Sequence, residues 1–221
     1  MKGKSELGCL LSSNDTKRLV LECAEPRCIL DQDGLVVCCN SSFAAKLGFA
    51  AAAALEGRDV LSAGNSPDGL SHLALRQADG ATSSRRCLLQ TVVDDGERRA
   101  RILQILRDQS VDWSIVDQLK GIGEAEGQAL YRELVAMVKR NAPKQFENLA
   151  AAITDGECER AAREAHAIKS ATSFLGAVNL ASICELIREM ASRADTIALS
   201  RLTAIASGEF LSILNEVDSR A

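Results

Sequence analysis

The hydrophobic pattern of the chain changes period once. Up to about residue 109 it consists mainly of short β-prone runs separated by Asp-Gly turns, whereas from about Val111 apolar residues recur every third or fourth position. In the first part, "SNDTKRLVLECAEP" predicts a helix capped near Ser13 or Asn14 and stopped at Pro26. "RCILDQDGLVVCCN" reads as two strands around a tight turn, "SSFAAKLGF" as a helix, and "EGRDVLSAGNSPDG" as irregular loop. Three more strands follow in "LSHLALRQ", "SSRRCLLQTVV" and "RRARILQILRD", with "ADG" and "DDG" between them. Asp-Gly punctuates strongly because glycine tolerates the positive φ of a hairpin turn. The expectation is an α+β domain: a five-stranded antiparallel sheet with flanking helices on one face.

The second part is helical throughout. "VDWSIVDQLKGIG" is a short amphipathic helix ending at glycines. Leu130, Leu134, Met137, Phe146, Leu149 and Ile153 form the next stripe, with Pro143 expected to kink or split that helix. In "TDGE", Asp155 is the expected N-cap of a third helix, with Glu157 and Glu159 near its positive end. This helix carries Ala161, Ala165, Ile168, Thr172 and Leu175 on one stripe. Leu180, Ile183, Cys184, Ile187 and Met190 mark another helix, and Leu202, Ile205, Phe210, Ile213 and Val217 the last, weakened at Gly208. Four apolar stripes with short connections predict an all-α antiparallel four-helix bundle. The boundary falls between residues 1–109 and 110–221.

Composition narrows the function. Aromatic residues make up 3% of the chain, so the core is built mostly from Leu, Ile, Val and Ala. A net charge of -4 and a pI near 5.4 argue against a nucleic-acid partner. No apolar run approaches the roughly 20 residues of a membrane span, and "MKGKSELGCLLSSNDTKR" lacks a signal-peptide core, so no membrane association and a cytoplasmic location are expected. The eight cysteines contain no C-x-x-C pair and read as reduced, structural thiols, with no metal site implied. Cys38 and Cys39, adjacent in sequence, are the place to watch for oxidation.

Candidate chemistry centres on "ECERAAREAHAIKSATSFLGAVNL". On a helix, His166 shares a face with Glu159, Ala162, Arg163, Lys169, Ser170 and Ser173, beside the apolar stripe rather than within it. A neutral ring nitrogen there can attack phosphorus, and the cations a turn away on either side can offset the charge of phosphate oxygens. A lone histidine is more often a plain surface residue; the surrounding pattern is what argues otherwise. His166-Ala-Ile168-Lys169-Ser170, followed by Leu175-Gly176, resembles the H-x-L-K-G-x-x-x-x-L-G signature of histidine-containing phosphotransfer (HPt) domains. The resemblance extends over residues 110–221 and takes in "LGAVNL" and "CELIREM".

That resemblance implies that His166 is the phosphoacceptor, that Lys169 stabilises the phosphate charge, and that Ser170 is a small docking position where the family usually has glycine. It further implies a phosphocarrier in a two-component phosphorelay, exchanging phosphate with a response regulator receiver domain and a sensor or hybrid histidine kinase. No cofactor is expected on this chain, and magnesium is expected from the partner receiver. A kinase dimerisation helix fits less well, because Ala167 stands where an acidic residue usually follows the histidine and no Gly-rich nucleotide-binding segment is present. The alternative function is a non-catalytic protein that docks on a receiver or kinase and sequesters it. Residues 17–109 resemble a PAS domain through "CAEPRCILDQDGLVVCCNSSFAAKLGF", with Asn40 after the second strand, and through the later hairpins. This resemblance implies a sensory or dimerisation domain, with the helix around Leu19, Val20 and Leu21 either packing in a homodimer or covering the sheet. His72 lies on a strand rather than on a long helix, which argues against a haem ligand, and Cys38-Cys39-Asn40 does not match a flavin photochemical motif.

Overall fold

The computed structural model describes residues 14–61, 69–94, 98–123 and 125–220, and the chain divides into two compact units, Met1–Asp108 and Gln109–Ala221. The first unit runs α1 (Asn14–Leu21), β1 (Arg27–Leu30), β2 (Val36–Cys39), α2 (Ser41–Lys46), one turn of 3-10 helix (Ala52–Leu55), β3 (Gly69–Arg76), β4 (Thr82–Asp94) and β5 (Arg98–Ile105). The strands form one antiparallel sheet in the order β2-β1-β5-β4-β3, with α2 and the 3-10 turn inserted between β2 and β3. This is the five-stranded antiparallel sheet with flanking helices expected from the sequence. Alternation along the strands sends Cys28, Leu30, Leu73, Leu75, Cys87, Leu89, Leu103 and Ile105 into one core with Phe43, Leu47 and Leu55.

Asn40 ties this unit together. Its side-chain oxygen accepts from Phe43 N at 2.9 Å, which caps α2, and its amide donates to Val20 O at 3.1 Å and Glu25 O at 2.6 Å. Buried Arg27 adds a bond from Nε to Gln104 Oε1 at 2.8 Å and one from Nη1 to Leu19 O at 3.1 Å. The N-terminal helix is thereby fixed to β1 and β2, with Val20 buried and Leu21 exposed. It ends at Leu21, short of Pro26, because the carbonyls after it are taken by Asn40. Ser13, the "DDG" turn from Asp95 on, and half of "EGRDVLSAGNSPDG" lie outside the described residues.

The second unit contains α3 (Trp113–Lys120), α4 (Ala125–Thr154), α5 (Cys158–Thr172), α6 (Val178–Ser192) and α7 (Thr196–Ser219), with a 3-10 turn at Ser173–Leu175. Helices α4–α7 form the bundle, and α3 packs on α4 and on the 3-10 turn. The stripes predicted for α5 and α6 are buried throughout. α4 departs from expectation. It is not split: one helix runs through Pro143, which is exposed. Leu130 and Met137 are exposed; the N-terminal half of α4 buries Tyr131, Val138 and Ala142 instead, a stripe displaced by one position. At α5 the N-cap is Glu157, with no side-chain cap bond, rather than Asp155, which sits in the preceding turn where Gly156 has φ 73°. By length and composition α7 could cross a membrane, contrary to the reading of its apolar run, but it buries Leu199, Leu202, Phe210, Ile213 and Val217 within the bundle.

The α5–α6 corner rests on Gly176. Its φ of 66° is left-handed, and its carbonyl accepts from Asp112 N at 2.8 Å, so the start of α3 is held against the turn. Asp112 itself caps α3 by accepting from Ser114 N at 3.1 Å. A Cβ on Gly176 would collide with the Asp112 carbonyl oxygen. Gly176→Ala is therefore expected to destabilise the second unit by about 2–4 kcal/mol, combining left-handed strain with backbone overlap. Urea denaturation of the full chain measures it; an unchanged midpoint would show that the approach is not required.

The buried thiols give the first unit a pH dependence. Burial pushes Cys38 and Cys39 up to about 11 and Cys87 up to about 12, from an ordinary value of 9.0. The unfolded chain releases these protons from about pH 9, while the folded sheet still holds them. Their contribution is thus fully present below pH 9 and is lost as the pH rises toward the folded-state values. Urea midpoints followed by the sheet's circular dichroism are expected to fall between about pH 8 and about pH 10.5.

Candidate functional site

The rotation of α5 decides what reaches its surface. Ala161, Ala165, Ile168 and Thr172 are buried, and the hydroxyl of Thr172 is satisfied by the Ile168 carbonyl at 2.8 Å. Each residue turns the helix by about 100°, so His166, one step beyond Ala165, emerges on the flank of the buried stripe. It is exposed, and among the described residues none forms a hydrogen bond or ion pair with its ring. Its helical neighbours are small or charged. Ala162 is half-buried, Ser170 and Ser173 are exposed, and the Ser173 hydroxyl bonds back to the Ser170 carbonyl at 2.9 Å. Arg163, one turn before His166, lies 3.9 Å from Glu159, a loose and exposed pair.

One turn after His166, Lys169 is drawn toward α6. Its Nζ donates to Glu185 Oε2 at 3.0 Å, and the other oxygen of Glu185 accepts from Arg188 Nη1 at 2.6 Å. Partial burial raises the Glu185 carboxyl, but the hydrogen bonds and charges of Lys169 and Arg188 outweigh it and hold the group below its ordinary range. Cys184, beside Glu185 in the chain, is pushed up to about 12 by burial, with the Lys169 charge acting against that shift. The side of the bundle carrying His166 therefore presents an anion bracketed by two cations.

The structure brings His166, Lys169 and Ser170 onto one stretch of α5, as their spacing requires. Glu185 and Arg188 were not singled out from sequence, because their relevance depends on which face of α6 meets α5. The signal available was the spacing in "CELIREM", where two opposite charges three apart flank the buried Leu186 and Ile187. In the other unit, His72 lies on β3 and is exposed. Among the described residues, no group of three or more His, Cys, Asp or Glu side chains converges on a metal-sized site.

Residues 133–218 match the model of the Hpt domain. No curated protein matches the chain. Among solved structures, similarity is found to histidine-containing phosphotransfer protein B (HptB) from Pseudomonas aeruginosa PAO1, at 23% identity and a TM-score of 0.46, covering 52% of this chain and 96% of that one. The PAS domain of an HTR-like protein from Haloarcula marismortui is similar at 20% identity and a TM-score of 0.33, covering 43% of this chain and 90% of that one. A PAS domain from Desulfitobacterium hafniense is similar at 14% identity and a TM-score of 0.33, covering 38% of this chain and 92% of that one. The residues that match the Hpt domain thus include His166 and most of the helical bundle that presents it.

Proposed function

We propose that this chain is a phosphocarrier of a two-component phosphorelay and that His166 accepts the phosphoryl group. The observation that carries the reading is an exposed imidazole, engaged by no described residue, at the motif histidine of a bundle matching the Hpt domain. In the transfer, the lone pair of the unprotonated ring nitrogen attacks the phosphorus of an aspartyl phosphate on a receiver domain. An N–P bond forms, the P–O bond to the aspartyl carboxylate breaks, and the carboxylate leaves with the bonding electrons. The return transfer to a second receiver reverses these steps. Such transfer depends on positioning and charge stabilisation, and magnesium and the aspartate belong to the receiver. This chain contributes the nucleophile, nearby positive charge from Lys169, and a surface kept low by Ser170 and Ser173. Its donor or acceptor on the kinase side is a sensor or hybrid histidine kinase, and its location is the cytoplasm. The first unit serves partner selection or homodimer formation.

The test is phosphotransfer from labelled receiver domains to the purified full chain. Label is expected on the wild type as an acid-labile, base-stable phosphate, and His166→Gln is expected to abolish it with the thermal melt unchanged. Label persisting on His166→Gln would remove His166 from the mechanism. Receiver binding without any label would favour the sequestering protein.

A further inference from the structure

Resting on that reading, we infer that Glu185 is a built-in counter-anion that competes with the phosphoryl group for Lys169 and Arg188, and so sets how strongly the site attracts phosphate. The argument starts from register. α5 and α6 are consecutive packed helices joined by a short turn, so they run antiparallel. Lys169 meets Glu185 across this pair at 3.0 Å. Three residues back along α5 then correspond to three residues onward along α6, which sets Arg188 level with His166. The imidazole thus has a cation on its own helix one turn on, and a second cation stands at its level along α6.

Both cations are held by the same carboxylate, one by each oxygen, at 3.0 and 2.6 Å. The arrangement is half-open to water: side-chain exposure is 39% for Lys169, 29% for Glu185 and 41% for Arg188. Bonds of this kind are weak enough to exchange partners. A phosphoryl group on His166 offers more negative charge and more acceptor oxygens than one carboxylate. Lys169 and Arg188 can therefore turn from Glu185 to the phosphate by side-chain rotation alone. Glu185 holds them beside the histidine while the ring is unmodified, and its own charge repels an approaching phosphate. It acts as a positioning residue; Lys169 and Arg188 supply the charge.

The experiment uses phosphoramidate as an anionic small-molecule donor and follows the initial rate of His166 phosphorylation in the full chain. Glu185→Gln is expected to raise the rate roughly threefold at low ionic strength, as befits a half-exposed ion pair, and the gain is expected to shrink as salt is added. Glu185→Asp is expected to restore the wild-type rate. Lys169→Ala with Arg188→Ala is expected to lower the rate and to remove the gain from Glu185→Gln. An unchanged or slower Glu185→Gln rate in a wild-type-like fold, judged by its thermal melt, overturns the inference. So does a gain that persists without both cations. A wild-type chain labelled by receivers or phosphoramidate while Glu185→Gln has no effect leaves the phosphocarrier reading standing; a wild-type chain that neither donor labels at His166 overturns both.

Discussion

The rotation of α5 about its own axis is the constraint on which the site depends. Four small or branched side chains, Ala161, Ala165, Ile168 and Thr172, are buried against the bundle and allow only one orientation of the helix. Turning α5 by a single residue would draw His166 into the core and expose Ile168, at a cost set by both the lost apolar burial and the desolvated imidazole. The same orientation puts Lys169 on the flank that meets α6, where it reaches Glu185 at 3.0 Å. Presentation of the histidine and its electrostatic setting therefore share one cause, the packing of the stripe.

The corner after α5 extends the same logic to α6. A helix pair keeps its register only if the connection between its members is fixed. Here a 3-10 turn, buried Leu175 and left-handed Gly176 leave little freedom, and the backbone of Asp112 occupies the space where a side chain on Gly176 would stand. The start of α3 thus acts as a brace on the turn. Two residues far apart in sequence, Asp112 and Gly176, help to determine whether Glu185 and Arg188 lie opposite Lys169 and His166.

Much of this was legible in the sequence, for identifiable reasons. Period-2 runs bounded by Asp-Gly located the hairpins, since few residues other than glycine accept the φ of 84° found at Gly34 and Gly80. The α5 and α6 stripes were read correctly because each buries one continuous face. The N-terminal half of α4 was not: Leu130 and Met137 remain outside while Tyr131 and Val138 go in, and periodicity alone does not choose between adjacent stripes. Pro143 argued for a break only in the absence of knowledge of its face. At the site, His166, Lys169 and Ser170 lie on one helix and their relation follows from spacing. Glu185 and Arg188 belong to another helix, and only the three-dimensional register joins them to the histidine.

Ser170 shows how the packing accommodates a departure from the family pattern. The Hpt signature commonly has glycine there, which leaves room for a partner surface beside the histidine. Within a helix, glycine carries a conformational cost of roughly 0.5–1 kcal/mol relative to alanine, and serine carries less. Ser170 is exposed, one turn beyond His166, so its hydroxymethyl group meets solvent or a docked partner and nothing inside the bundle. The substitution thus favours α5 without disturbing the buried stripe, and it adds a hydroxyl to the exposed surface one turn from His166. A glycine at this position would loosen the segment of α5 that aims both Lys169 and His166. The serine keeps that segment helical and leaves the exposed surface beside His166 small.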